Sequence, residues 1–370
     1  MTFSCGIIGL PNVGKSTIFN ALTSAKAQAA NFPFCTIEPN TGAVPVPDPR
    51  LDRLAHLAKS AKVIPAQVTF VDIAGLIKGA SKGEGLGNQF LGHIRNVDAV
   101  AHIVRCFDDP NIVHVDGSVD PARDIDVINT ELLLSDLDTV QKLIAKVERP
   151  AKTGDKEAKE KLEALIPLEK HLSQGKSARS LKSESAALAE TKAMLLSAKP
   201  TLFVANVAES EIPPNGEYTP GHSPALDSAY KAAGEQHSDL VIISGKVESE
   251  IAELDMQERK AYLESLGLER SGLDRLALAG YKLLNLITFF TVGPKEAHAW
   301  TVPQGTLAPQ CAGKIHTDFE KGFIRAEVIS YDHYIEAGSE VRAREMGKLR
   351  VEGKEYVMQD GDIVHFRFNL

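Results

Sequence analysis

Cysteine is scarce: Cys5, Cys35, Cys106 and Cys311 are the only four in 370 residues, and no two stand in C-x-x-C spacing. That argues against a zinc ribbon or a disulfide framework and fits thiols kept reduced in a cytosol. Long apolar runs are missing as well; no stretch of about 18 such residues occurs, so no membrane span is expected. Met1 leads directly into an apolar strand with no basic n-region and no small-residue cleavage site, so no secretory signal is expected and the chain reads as cytoplasmic. Positive charge is in deficit, with 41 Lys+Arg against 49 Asp+Glu and a net charge of -8. That balance argues against a surface that seeks nucleic acid everywhere; DNA is not indicated, while local basic patches stay open. What is present, 43% hydrophobic and 24% charged residues, is the balance of a globular chain long enough for two or three domains with their own cores.

Against that background Gly9-Leu-Pro-Asn-Val-Gly-Lys-Ser16 stands out as G-x-x-x-x-G-K-S. From average composition such a match arises by chance in about one chain in a hundred of this length. Phe3 to Leu10 reads as a buried strand and Thr17 to Ser24 as a helix, so the loop between them presents a helix N-terminus to an anion. The backbone of Asn12, Val13, Gly14, Lys15, Ser16 and Thr17 would close around phosphate oxygens. Lys15 would reach the β/γ-phosphates, and the Ser16 hydroxyl would meet Mg²⁺.

Two further segments follow in the order that a nucleotide switch requires. Asn31 to Asn40 is Pro-punctuated and non-periodic, hence a loop, and its Thr36 could place a hydroxyl on Mg²⁺. Gln67-Val-Thr-Phe-Val-Asp72 reads as a strand ending in an acid, followed by Gly75 in a D-x-x-G pattern. There Asp72 would be the Mg²⁺-linked carboxylate and Gly75 the γ-phosphate sensor. Ile77 to Asn88 carries Gly79, Gly83, Gly85 and Gly87, a density that no stable helix would tolerate, and is expected to be mobile.

Guanine-selective P-loop proteins place N-K-x-D after a strand, with the Asp pairing to guanine N1–H and the 2-amino group. Here Pro200 to Asn206 is such a strand, but Val207 replaces the lysine and Glu209 the aspartate. A carboxylate one methylene longer loses the bidentate geometry, and the stacking lysine stem is gone, so these residues predict relaxed specificity or ATP. Ser244-Gly245, after the strand Leu240 to Ile243, is either the far wall of the base pocket or a plain turn. The residue after D-x-x-G is Leu76, where many GTPases hold a water-orienting glutamine. Hydrolysis is therefore intrinsically slow, or completed by a partner or another side chain. His114, beyond the strand Val97 to Phe107, is a candidate because strand ends of a doubly wound sheet face the ligand.

The strings GLPNVGKST, NFPFCTIEPN, DIAGLIKGAS with GEGLGNQFL, and HTDFEKGFIRAEV together resemble the YchF-type Obg-like ATPases, a branch of the translation-factor P-loop proteins. The resemblance runs end to end. It implies ATP as the favoured nucleotide, Asn206 and Val207 against adenine through a backbone contact, Glu209 in the same pocket with Ser244 and Gly245 opposite, and His114 as the group that positions the attacking water. It also bears on Asn12. P-loops with asparagine there resemble those that bind K⁺ beside the phosphates; the other reading is a side chain that stabilises the turn. Cys35, beside Thr36, reads as a small buried hydrophobe or as a redox switch.

Between the two halves of the nucleotide domain lies an insertion. Leu133, Leu137, Val140, Ile144 and Val147 form a helical seam that Pro150 and the Thr153-Gly154 turn interrupt; a Lys/Glu-rich stretch follows to Leu172, and Ser183 to Ala198 is again helical. From Thr139 to Lys199 there are 13 Lys+Arg against 8 Asp+Glu, so this arm is either a solvated coiled coil or an electrostatic foothold on RNA, such as a ribosome. From about Leu278 short strands with a helix near Cys311 to Lys321 suggest an α+β domain. His316 to Arg325 and Gln359 to Asp362 resemble the β-grasp TGS module of translation and stringent-response proteins. Lys321, Arg342, Arg344, Lys348 and Arg350 would be its surface cations.

The expected architecture is thus α/β: a doubly wound P-loop domain over 1–130 and 200–277, a helical coiled-coil insertion over 131–199, and a TGS domain over 278–370. The expected function is a Mg²⁺-dependent ATPase that acts as a nucleotide-gated switch on ribosomes or ribosomal RNA. The competing readings are a GTPase and a ribosome-binding module with negligible turnover.

Overall fold

The computed structural model describes residues 3–28, 40–74, 86–182 and 185–369. The first unit is built on a six-stranded sheet. In chain order its strands are β1 (Ser4–Ile8), β2 (Thr41–Pro45), β4 (Gln67–Asp72), β5 (Ala99–Arg105), β6 (Thr201–Asn206) and β7 (Leu240–Ile243), with β3 (Val63–Ile64) belonging to a second sheet. The spatial order is β2-β4-β1-β5-β6-β7. β1 lies between β4 and β5 and is parallel to both, and β6 and β7 continue the parallel set. β5 and β6 are buried along their whole length, which is why they read as unbroken apolar runs. From β1 the chain runs to β2 and back to β4 on one side and then crosses to β5 on the other, so a topological switch point falls at the carboxyl end of β1, where such sheets bind ligands.

The helical arm departs from its sequence boundaries. A single helix, Pro121–Lys152, starts under the sheet with Ile125 buried beside Phe203 and Leu226, and ends in the arm, so residue 131 is mid-helix rather than a domain edge. Pro150 sits inside its last turn and does not stop it; only Thr153 and the left-handed Gly154 do. The seam residues Leu133, Leu137, Val140, Ile144 and Val147 all join one cluster with Leu165, Leu168 and Leu172 of the returning helix Lys156–Ser173. The third segment is helical only over Ala186–Ala193, shorter than its composition suggested. Buried Asp136 accepts from the N–H groups of Leu196 (2.8 Å) and Ser197 (2.7 Å), which ends the helical path there by taking its donors.

The second unit joins residues 44–68 to 281–370. Its sheet holds β8 (Leu286–Val292), β9 (Ala297–Pro303), β10 (Phe323–Ser330), β11 (Arg350–Glu352) and β12 (Asp362–Phe368), in the order β11-β10-β12-β8-β9-β3. Residues 44–68 were read as part of the P-loop domain, yet β3 pairs with β9, and the Arg50 guanidinium lies over the Phe290 ring and pairs with Asp360 at 2.7 Å. Helix Ala308–Ile315 covers one sheet face through Cys311 and Ala312 against Phe289, Val328 and Phe366. Short helices Tyr331–Ala337 and Glu340–Glu345 complete the α+β unit.

Candidate functional site

β1 ends at Ile8 and the helix Lys15–Gln28 begins seven residues later, which leaves Gly9 to Gly14 as a loop over the switch point. Both end glycines are sterically required. A Cβ on Gly9 would come within 2.8 Å of the Ile103 carbonyl, and Gly14 has φ +89° with Asn206 packed where its Cβ would stand. Asn12 is also in the left-handed region, at φ 63°, a conformation its short amide tolerates. Val13 is buried, while Ser16 and Thr17 are exposed at the first turn of the helix. Lys15 Nζ forms an ion pair with Asp72 at the end of β4, since Ile7 and Asp72 are partners across β1 and β4. The two groups assigned to phosphate and to Mg²⁺ are therefore neighbours, each holding the other's charge. Ser16 Oγ and the Asp72 carboxylate are hard oxygen donors of the kind Mg²⁺ takes, and fit that ion. Thr36, Gly75 and Cys35 lie outside the described residues, as does most of the glycine-rich stretch; a helix, Leu86–Arg95, starts within its last residues.

On the base side Asn206 acts as a clamp: its Nδ2 donates to the Val13 carbonyl (2.8 Å) and its Oδ1 accepts from Gly245 N–H (2.9 Å). The phosphate loop and the loop after β7 are thereby held together by one buried amide. Gly245 lets this happen, since a Cβ there would meet Ile18 at 3.2 Å. Ser244 is the N-cap residue of helix Gly245–Glu253 but makes no capping bond, and its buried hydroxyl has no partner among the described residues. Val207 directly follows β6. Its side chain is in the core with Val104, Phe203 and Leu226, and its N–H is used by the Ile243 carbonyl, because β6 must bury that face to pack on the helix Pro224–Glu235. Only the Val207 carbonyl is left for a base. Glu209 is half-exposed and pairs with Lys246 at 3.0 Å.

His114 is buried, and both its ring nitrogens are engaged. Nδ1 accepts from the Asp116 N–H (3.1 Å), so Nε2 carries the proton it shares with buried Asp124 (2.9 Å). In this arrangement His114 has no nitrogen to offer a water. The loop that carries it is fixed by two groups that sequence reasoning missed or left open. Arg105, fully buried at the end of β5, donates to the carbonyls of Phe107 (3.1 Å) and Ile112 (3.0 Å). Asn12 Nδ2 donates to the Val113 carbonyl at 3.0 Å, a bond to the distant loop that carries His114 rather than to its own turn. An arginine inside the apolar string AVAHIVRCF was the visible signal for the first.

In the second unit two of the cations expected from sequence, Arg344 and Arg350, are paired with acids. Arg325, Arg344 and Arg367 converge on Glu327 at 3.4, 3.3 and 3.0 Å, and Arg350 pairs with Glu352 at 3.3 Å. That network lowers the Glu327 pKa, first through its hydrogen bond from Arg367. Cys5 and Cys311 are buried free thiols, pushed up to about 12 by desolvation, so neither is reactive. No helix among the described residues is long and apolar enough to cross a membrane.

Residues 4–149 match the family model described as a 50S ribosome-binding GTPase, and residues 286–369 match the YchF-GTPase_C family, described as a protein of unknown function. The chain is 54% identical to the ribosome-binding ATPase YchF of Escherichia coli O157:H7 and 51% identical to that of Bacillus subtilis, covering 100% of both chains in each case. It is also similar to the solved structure of the Schizosaccharomyces pombe YchF GTPase, at 36% identity and a TM-score of 0.88 over 99% of this chain and 98% of that one.

Proposed function

The chain belongs to the YchF family, and from that premise we propose that it is a cytoplasmic, Mg²⁺-dependent ATPase that binds ribosomes and whose slow turnover resets a nucleotide-gated switch. The observation that carries the reading is the Asn206 clamp, which joins the phosphate loop to the base loop around a site where Lys15 and Asp72 already meet. Lys15 and the loop N–H groups would bind the phosphates. Ser16, Thr36 and Asp72 would hold Mg²⁺, whose charge would draw electron density from the transferring phosphoryl group. Gly75 would report the γ-phosphate. Asn206, the Val207 carbonyl, Ser244 and Gly245 would surround adenine, the unpartnered Ser244 hydroxyl being a ready donor or acceptor for the base.

His114 remains the residue proposed to position water, and its buried state here implies that it must leave Asp124 first. That requirement supports a slow intrinsic rate and a role for a partner that shifts the loop. For Asn12, the bond to Val113 uses Nδ2 and leaves Oδ1, the atom that a K⁺ ion would take, free of that contact. The GTPase reading is kept alive by the description of the family model and by the fission yeast relative's name. Val207 in the core and Glu209 in an ion pair oppose it.

Competition binding with fluorescent ATP and GTP analogues in Mg²⁺ at matched salt tests the assignment. A preference for ATP of at least about tenfold is expected. Equal or tighter GTP binding would move the protein to the GTPases. Ribosome-stimulated ATP turnover would support the switch, and turnover indifferent to ribosomes would remove it.

A further inference from the structure

Asn206 joins the phosphate and base loops at their inner ends, and a second connection joins the β6 and β7 loops at their outer ends. Lys246, directly after Gly245, reaches across to Glu209 at 3.0 Å and lies 3.9 Å from Glu250. Glu250 in turn accepts a hydrogen bond from Tyr262 on the helix Met256–Ser265. That bond is the largest of the effects that push the Tyr262 phenol up to about 12. The lysine thus has a fixed acid on either side. One of them, Glu209, occupies the place of the carboxylate that reads guanine in N-K-x-D sites.

We infer that Lys246 is the specificity-determining residue of the base pocket: by pairing with Glu209 it withdraws the one carboxylate that could accept from guanine N1–H and the 2-amino group. The inference deepens the ATPase reading and rests on the same pocket. Chain length alone does not silence Glu209. A glutamate can reach by a change of rotamer, and half-exposed at the mouth of the pocket it would retain an anionic acceptor for a guanine edge. Adenine has no donor at N1, so an unpaired Glu209 would favour guanine selectively. With Lys246 in place a guanine must compete with an ammonium already hydrogen-bonded to that carboxylate. Because the lysine side chain is 69% exposed, solvent weakens the pair, and the effect on selectivity is moderate rather than absolute.

The experiment compares ATP, GTP and ITP affinities for the wild type and for Lys246→Met, Lys246→Arg, Glu209→Gln and the Lys246→Met/Glu209→Gln pair, using the full-length protein. In Lys246→Met the GTP-to-ATP affinity ratio should rise about three- to tenfold, with a smaller rise for ITP, which lacks the 2-amino group. Lys246→Arg should keep the wild-type ratio, and the double variant should lose most of the gain because the anionic carboxylate is replaced by a neutral amide with a single acceptor oxygen. A ratio that does not move in Lys246→Met, or that moves equally in the double variant, overturns the inference. The wild-type ratio separately decides the ATPase reading, since a wild type without ATP preference defeats that reading whatever Lys246 does.

Discussion

Gly14 shows how one residue can serve conformation and packing together. Its φ of +89° is unfavourable for any side chain, and the space beside it is filled by the Asn206 amide that ties the two loops. Gly14→Ala should therefore cost about 1–3 kcal/mol of stability without nucleotide and displace Asn206 from the Val13 carbonyl. Thermal unfolding of the nucleotide-free variant checks the first effect, and a loss of ATP affinity the second. A variant that melts and binds like the wild type would mean that the loop relaxes freely. His114 makes the opposite point. As a residue type in a loop it suggests a base or a water-binding group, but its role at any moment depends on Asp116 and Asp124, whose bonds to it are visible only in three dimensions.

At the scale of elements, several helices start on a capping acid next to them in sequence, such as Asp48, Asp120 and Asp155, but one is finished by an acid distant in sequence. Buried Glu248, on the helix that begins at Gly245, accepts from the N–H groups of Gly272 (2.6 Å) and Leu273 (3.3 Å), capping the helix Gly272–Leu283. Burial outweighs those donors and pushes its carboxyl up to about 7 from the usual carboxylate range. A folded-state pKa above the unfolded one contributes stability that is complete below the unfolded value, about 4.3, and is lost as pH rises through the folded value. Relative to Glu248→Gln, which cannot ionise, the wild type should lose stability between about pH 4.5 and 7, by on the order of a few kcal/mol. Denaturant unfolding of both proteins at pH 5 and pH 8 measures this. A difference between them that stays constant with pH would show that Glu248 does not titrate there. Asp136 in the arm also takes backbone N–H groups, those of Leu196 and Ser197, but past the C-terminal end of the helix Ala186–Ala193, where they are then lost to the helix expected to reach Ala198.

Over the whole molecule, charge is divided unevenly: the net is -8, while residues 139–199 hold 13 Lys+Arg against 8 Asp+Glu. In the second unit the arginines mostly neutralise Glu327 and Glu352, but Lys156, Lys159 and Lys176 in the arm are exposed. If these three meet RNA phosphates, replacing them with serine should weaken ribosome binding and reduce the slope of log affinity against log salt by about 2 to 3. Co-sedimentation across a salt series tests this. A slope equal to that of the wild type would place the ribosome contact elsewhere.

Sequence alone determined the elements whose signal is local. The G-x-x-x-x-G-K-S loop between a strand and a helix, Asp72 at a strand end, the seam from Leu133 to Val147 and the strand Leu240 to Ile243 all follow from periodicity and turn chemistry, and the structure has them. Tertiary structure decided what depends on partners far apart in the chain. It sent residues 44–68 to the C-terminal unit, where β3 found an edge at β9. It turned Val207 into the core, paired Glu209 with Lys246 across 37 residues, and gave His114 to Asp124. Each of those outcomes is a competition for a neighbour, and periodicity carries no information about which distant group arrives first.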